Sequence, residues 1–230
     1  MARSNAPMSS RPAAAGRTTS EAARSRLGLS RERILEAALD LLDREGLGGF
    51  SMRRLADDLG IGTMTLYGHF RDREELLEGV VDAGAQQISV PRMPGPWRED
   101  LRRLMRAIHG ALTDHPALVE LRLERPLISP GALRLTEAGM SSLRAAGFSR
   151  RDAARAYRTL FVYTLGSCAF GPSGRSSAER TQALARLRAL SADSFPALAD
   201  SARQASNAMA DDTLFDFGLD CLLDGLEARR

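Results

Sequence analysis

The sequence predicts an all-α protein in two parts, a small N-terminal helical domain followed by a larger C-terminal helical one. Apolar residues recur at i, i+3, i+4 and i+7 in one block after another, and Gly or Pro stands at each change of phase. No stretch alternates apolar and polar residues as a half-buried strand would, and no repeat of roughly 20–50 residues occurs.

The 230 residues are 43% hydrophobic, with a mean hydropathy of −0.23, enough apolar surface to bury a core. No apolar run approaches the roughly 20 residues of a membrane span, and the N-terminus lacks the apolar core of a signal peptide. A cytoplasmic protein without a membrane partner is expected. Cys168 and Cys221 are too few and too far apart for a disulfide framework and lack a second ligand at C-x-x-C spacing; both read as small buried hydrophobes. All 32 basic residues are arginine. The net charge of +3 is weak support for a nucleic-acid partner, because residues 1–80 carry 12 Arg against 12 Asp plus Glu. Residues 1–33 hold seven Arg against two Glu, a basic arm of +5 ahead of the first helix.

Residues 1–28, rich in Ala, Ser, Arg, Pro and Gly, show no apolar face and are expected to be a disordered tail, either solvated or adding phosphate contacts. Helix 1 starts at Ser30, a good N-cap; it carries Ile34, Ala37, Ala38, Leu41 and Leu42 on one face and closes at Gly46. Ser51 caps helix 2, whose Met52, Leu55, Ala56 and Leu59 precede a stop at Gly60. Helix 3 begins near Thr63 with Leu66 and Tyr67, and Asp72 caps helix 4, with Glu75 completing a capping-box-like pair. Leu76, Leu77, Val80 and Val81 carry helix 4 toward Ile88, and Pro91–Pro96 breaks it at the seam with the larger domain.

Beyond the seam, Trp97, Leu101, Leu104, Met105, Ile108 and Leu112 form one face of helix 5, ended by His115-Pro116. A short helix covers 116–124, bounded by Pro126, and another runs from Pro130 to Ala146 before Gly147. Ser149 with Asp152 starts helix 8, which reaches Phe170 ahead of a loop at 171–174. Residues 176–191 and about 197–208 are helical by composition. The last helix, 212 to about 227, is apolar around most of its circumference and so needs cover from its own domain and from a second chain.

Residues 50–77 therefore read as a helix-turn-helix with the start of a third helix. In that unit the second helix enters the major groove, which requires a polar outer face, an apolar inner face and a tight turn before it. Thr63, Thr65 and His69 supply the polar face, Leu66 the inner one, and Leu59-Gly60-Ile61-Gly62 the turn.

Here the chain resembles a known family. EAALDLLDREGLGGFSMRRLADDLG, TLYGHF (Thr65–Phe70) and RDREELL are similar to the DNA-binding domain of the tetracycline-repressor (TetR) family. LFDFGLDCLLDGLEA (Leu214–Ala228) resembles the last helix of the tetracycline repressor's own subfamily, with looser matches at Trp97, Glu124-Arg125-Pro126 and GFSRRDA. The resemblance implies a tail at 1–28, a DNA-binding domain at 29–75 and a ligand-binding and dimerisation domain at 76–230. It also implies a homodimeric transcriptional regulator, usually a repressor, released from a palindromic double-stranded DNA operator by a small-molecule effector whose identity is left open.

Carried over by position, the family's DNA contacts fall on Met52, Arg53, Thr63, Met64, Thr65, Tyr67, Gly68, His69 and Arg73. Arg53 can reach a guanine edge or a phosphate, Tyr67 and His69 suit phosphates, Thr63, Met64 and Thr65 face bases, and Arg73 clamps a phosphate. Met64 and Gly68 stand where the tetracycline repressor has proline and a bulky aromatic, so the operator should differ. The positions that hold drug and magnesium there correspond to Ser89, Leu104 and about Leu121, which removes that chelating chemistry.

Trp97, Met105, His109, Arg125, Met140, Phe161 and Tyr163 can line an apolar pocket with a few polar anchors, although His109 reads first as a core histidine. A dimer interface is expected on helix 8 and the last helix, from Tyr157, Leu160, Phe161, Thr164, Leu165 and Cys168 with Phe215, Gly218, Leu219, Leu222, Gly225 and Leu226 in a four-helix bundle. Helix 4 is expected to transmit ligand binding to the reader. An enzyme is disfavoured, since His69, His109 and His115 fit no nucleophile, base or metal pattern, no Gly-rich phosphate loop occurs, and no cofactor is implied. The remaining alternative is an all-α adaptor or small-molecule-binding protein without sequence-specific DNA binding.

Overall fold

The structure is a computed structural model that describes residues 29–90, 95–124, 128–170, 177–208, 211 and 213–229. The expected tail, most of the 91–96 break, Arg125, Pro126 and the loop at 171–174 lie outside the described residues. Among the described residues every regular element is a helix: α1 (Arg31–Gly49), α2 (Met52–Asp58), α3 (Thr63–Tyr67), α4 (Arg73–Gln87), α5 (Trp97–Asp114), α6 (Pro116–Glu124), α7 (Pro130–Ala145), α8 (Arg150–Phe170), α9 (Ser177–Arg188), α10 (Pro196–Asp200), α11 (Ala202–Ala208) and α12 (Leu214–Glu227).

The starts follow from side chains that satisfy orphan N–H groups. Ser30 accepts from Arg33 N, Ser51 from Arg54 N, Asp72 from Glu75 N, Ser129 from Ala132 N and Ser149 from Asp152 N. Gly46, at φ +69, breaks the helical path inside α1, and Gly60, at φ +65, turns the chain from α2 to α3; both lie in the left-handed region that glycine enters without a Cβ penalty. The expected single helix at 197–208 is two, because Ser201 leaves helical geometry at φ −101, ψ 12.

α1 to α4 enclose a small core, with Ile34, Leu41, Leu42, Leu55, Leu66, Phe70, Leu76 and Leu77 buried. α4 also packs on α6 and α7, so it belongs to the larger bundle as well. Two glycines permit that approach. A Cβ at Gly84 would meet Leu118 Cδ1 at 2.7 Å, and one at Gly131 would meet the Asp82 carbonyl oxygen at 2.8 Å. The C-terminal carbonyls of α4, at Ala85, Gln86 and Ile88, accept from Arg134 Nη2 at 3.2, 3.1 and 2.9 Å.

α5, α7 and α8 form the centre of the larger bundle, with Leu101, Leu104, Met105, Leu143 and Leu160 buried. α12 lies across α5 and α8. Arg98, Arg102 and Arg106, one turn apart on α5, meet Asp224, Asp220 and Asp216 on α12, and Arg98 also pairs with Glu227. The reversed order makes the two helices antiparallel. Arg102 is the most enclosed of the three, its Nη2 lying 2.6 Å from Asp220. This ladder was not among the sequence-based expectations.

Of the expected dimer face, Tyr157, Leu160, Thr164, Phe215 and Leu219 are largely buried within the protomer itself. Gly218 is likewise an internal device: a Cβ there would collide with Tyr163, whose hydroxyl donates to the carbonyls of Leu214 and Phe215, each at 3.1 Å. The outward residues are Val162 and Phe170 on α8 and Phe217, 68% exposed, and Cys221 on α12; Phe161, Cys168, Leu222 and Leu226 are half-buried and Gly225 is open. Cys221 is thus exposed on the protomer, contrary to expectation, because Phe215, Leu219 and Leu223 take the inward face at four-residue spacing.

Gly218→Ala is expected to destabilise the protein by about 1–3 kcal/mol by overpacking against Tyr163. Gly110→Ala, where a Cβ meets nothing within 4 Å, should be neutral or stabilising. Denaturant unfolding at matched protein concentration measures both, and equal effects would contradict this packing.

Candidate nucleic-acid interface and internal cavity

Leu66 and Phe70 pin α3 to the core. That anchoring turns the opposite side of a five-residue helix to solvent, with Met64 82% and Tyr67 46% exposed, Gly68 exposed, and Thr63, Thr65 and His69 half-exposed. Thr63, Met64, Thr65, Tyr67 and Gly68 therefore share one surface, whereas Nε2 of the His69 ring is buried. Met52 does not join them: it is only 6% exposed, because position one of α2 falls on the same face as Leu55 and Ala56.

The arginines of this region divide by their partners. Arg54 grips Glu45 with two nitrogens, and Arg44 pairs with Asp58 at 3.1 Å. Arg31 donates to the His69 carbonyl and to Glu75 and lies 4.0 Å over the Phe70 ring. Arg73, expected as a phosphate clamp, donates to the Leu47 carbonyl at 3.3 Å, lies 5.6 Å from the Phe50 ring centre and sits 3.7 Å from Glu74. Its guanidinium is engaged inside the unit. Arg53 is exposed, and no ion pair holds it among the described residues.

A cavity of about 400 Å³ lies between α4, α5, α6, α7 and α8. Val81 and Gly84 of α4 and Ile88 just beyond its end form one wall, and Leu112, Leu118 and Leu135 continue it. Its polar lining comes from Arg122, Thr136, Tyr157 and Arg158. Of the expected pocket residues it contains Met140 and Phe161. Trp97 instead packs edge-on against Phe148 at 5.1 Å, and Met105 is fully buried beside Thr164. His109 stacks on Phe215 at 3.9 Å, where burial lowers its pKa, and Tyr163 serves α12. Leu104 and Leu121 are core residues and Ser89 is exposed. The cavity residues on α4 and α6 were missed because an apolar stripe reads the same whether it meets another helix or a void.

A second link joins the two regions. Asp43 of α1 accepts from the Ala117 N–H at 3.0 Å and from His115 Nδ1 at 2.8 Å, so α1 caps the start of α6.

Residues 34–80 match the model for bacterial regulatory proteins of the tetR family, and residues 90–230 match the tetracyclin repressor-like C-terminal domain. The chain belongs to the TetR family. An HTH-type transcriptional regulator of Saccharopolyspora erythraea is 37% identical over 175 residues, 74% of either chain. Apo ActR from Streptomyces coelicolor, at 32% identity, superposes with a TM-score of 0.76 over 87% of this chain and 95% of its own; ActR is also solved with (S)-DNPA and with actinorhodin. BioQ on its double-stranded DNA operator superposes with a TM-score of 0.60 at 27% identity, over 87% of this chain and 99% of its own. This TetR-family protein is a helix-turn-helix transcriptional regulator.

In this TetR-family reader the junction of α3 and α4 rests on Glu75. Its carboxylate accepts from the Arg71 N–H at 2.9 Å, one residue further back than a regular capping box, and from the Arg71 and Arg31 guanidiniums. The Arg71 N–H first, and then these two guanidiniums, hold its pKa down at about 2 against an ordinary 4.5. A lowered folded-state pKa means the contribution is complete above about 4.5 and is lost as pH falls toward 2. Wild type should therefore melt above Glu75→Gln near neutral pH, with the gap closing through that acid window. A gap independent of pH would separate the network from Glu75 ionisation.

Proposed function

We propose that the protein is a repressor whose residues 29–75 read a palindromic operator and whose residues 76–230 bind the effector and form the homodimer. The observation that carries the reading is the outward surface of α3, where a large apolar side chain, Met64, stands exposed between two threonines beside Tyr67. Met64 suits a thymine methyl, and Thr63 and Thr65 suit base edges. Tyr67 and the close-approaching backbone at Gly68 suit phosphates, and the exposed Arg53 supplies a cation. Arg73 supports the unit from inside. Two copies would present their α3 helices to successive major grooves, roughly one helical turn apart.

The effector acts through helices shared between the cavity and the reader. Val81, Gly84 and Ala85 line the cavity on the helix whose first turn, at Arg73–Leu77, packs in the reader. A ligand that displaces this wall tilts α4 as a rigid rod and changes the separation of the two α3 helices. The Asp43 cap on α6 gives the same cavity a second connection to α1. Such a protein needs no catalytic group and works in the cytoplasm, where its operator is.

Gel shifts on the DNA flanking its own gene test the reading directly; no retardation of any palindrome at low salt would overturn it. Arg53→Ala should weaken all sequences alike and lower the salt slope by about one, whereas Thr65→Ala should change base preference. Phe217→Asp is expected to yield monomers by ultracentrifugation with lost operator binding, since it places a charge on the outward apolar face of α12. An unchanged dimer would remove that face from the interface.

A further inference from the structure

We propose that the cavity selects an apolar molecule carrying an uncharged hydrogen-bond donor, such as a phenol or alcohol hydroxyl, which donates to the Tyr157 hydroxyl oxygen. The inference rests on the reading of this cavity as the effector site and adds the chemistry of what fills it.

The composition of the lining limits where a ligand can find polar partners. Most of the wall is aliphatic, and its polar groups are the guanidiniums of Arg122 and Arg158 and the hydroxyls of Thr136 and Tyr157. Arg158 is exposed, and the Arg122 guanidinium lies 5.4 Å over the Phe161 ring. The two hydroxyls belong instead to the contact between α7 and α8. A Cβ at Gly139 would meet Cδ2 and Cε2 of Tyr157 at 2.5 and 2.6 Å, so the tyrosine ring lies directly on the α7 backbone. Thr136 stands one turn before Gly139 on the same face of α7, and its side chain is the hydrogen-bonding partner of the Tyr157 hydroxyl. Burial of the ring holds that hydroxyl in place and raises its pKa, so it keeps its proton.

The direction of the bonds decides what the ligand must bring. Each hydroxyl has one proton to give and can also accept. Thr136 Oγ1 donates its proton to the Ala132 carbonyl at 2.9 Å, within its own helix. Toward Tyr157 it can therefore only accept, and the Tyr157 proton is drawn to it. The chain from Tyr157 through Thr136 to the Ala132 carbonyl uses both protons and leaves the Tyr157 oxygen, at its head, with acceptor capacity alone. A ligand carbonyl or ether set against that oxygen brings lone pair to lone pair, whereas a ligand O–H or N–H extends the chain by one bond. A protonated amine could also donate, but none of the lining residues is a carboxylate, and a charge buried unpaired in an aliphatic space is costly. The donor is therefore uncharged. The rest of the ligand is set by the aliphatic wall and by a volume of about 400 Å³, within the range of small-molecule sites.

The test uses the full-length protein and displacement of the uncharged fluorescent probe N-phenyl-naphthylamine by para-tert-butylphenol and by its methyl ether. Transfer out of water alone ranks the ether first, because it is the more apolar of the two. The hydroxyl chain reverses that order: the phenol should compete about fivefold to tenfold more tightly than the ether. Tyr157→Phe keeps the ring on Gly139 and removes the oxygen, so it should erase the preference through weaker phenol binding. Thr136→Val removes the acceptor of the Tyr157 proton and frees that proton for the ligand, so ether binding should tighten about threefold. A merely structural role for Thr136 would not improve binding of the ether. Met140→Trp, or Ala132→Phe if that variant misfolds, fills the cavity and should abolish probe binding. If the ether competes as well as the phenol in wild type, or the preference survives Tyr157→Phe, while the filled cavity rejects the probe, the donor requirement is overturned and the cavity remains the effector site. Probe binding undiminished in the filled variants would overturn the site and the donor requirement together.

Discussion

Helix α4 has to satisfy two apolar cores at once, and the rest of the structure is arranged around that constraint. Its first turns bury Leu76 and Leu77 in the reader, and its later turns bury Val80, Val81 and Gly84 against α6 and α7. A helix of 15 residues cannot bend gradually between two packed environments without losing contacts in one of them. Both ends are therefore tied by hydrogen bonds: Asp72 and the Glu75 network at the start, Arg134 on three carbonyls at the end. A rod held in this way passes on displacement as a whole, which is the property a ligand-controlled DNA reader needs.

Charge plays a different part in each region. In the reader, most arginines are spent on internal geometry, holding Glu45, Asp58, Glu75 and the Leu47 carbonyl, so a neutral overall balance is compatible with a DNA-facing surface. Specificity then falls to the short side chains and Met64 on α3. On α12 the arginine and aspartate ladder fixes register against α5, while burial of Phe215, Leu219 and Leu223 supplies the attraction. Arg122 and Arg158 line the cavity, and none of its lining residues is a carboxylate.

Helix limits and caps were legible because they are local. Ser30, Ser51, Asp72, Ser129 and Ser149 each act within three residues of themselves, and Gly46 and Gly60 act through their own φ angles. The recognition surface was legible for the same reason: burying Leu66 dictates that Met64, Thr65 and Tyr67 face away. The Met52 side chain turns inward beside Leu55, which a position copied from a family does not reveal, since it says nothing about whether the side chain or the backbone makes the contact.

By itself, the sequence determined the all-α class, the order of most of its helices and many of their caps, the helix-turn-helix and the family it belongs to. Those properties depend on periodicity and on groups adjacent along the chain. Only the tertiary structure decided which apolar faces meet, which are left for a partner, and where the bundle leaves space. Tyr157, Leu160 and Phe161 lie on one ridge of α8, yet Leu160 enters the core, Phe161 lines the cavity with Tyr157, and Phe217 on another helix is left outside. Hydrophobicity alone is non-directional, so such residues are sorted only when distant helices come together.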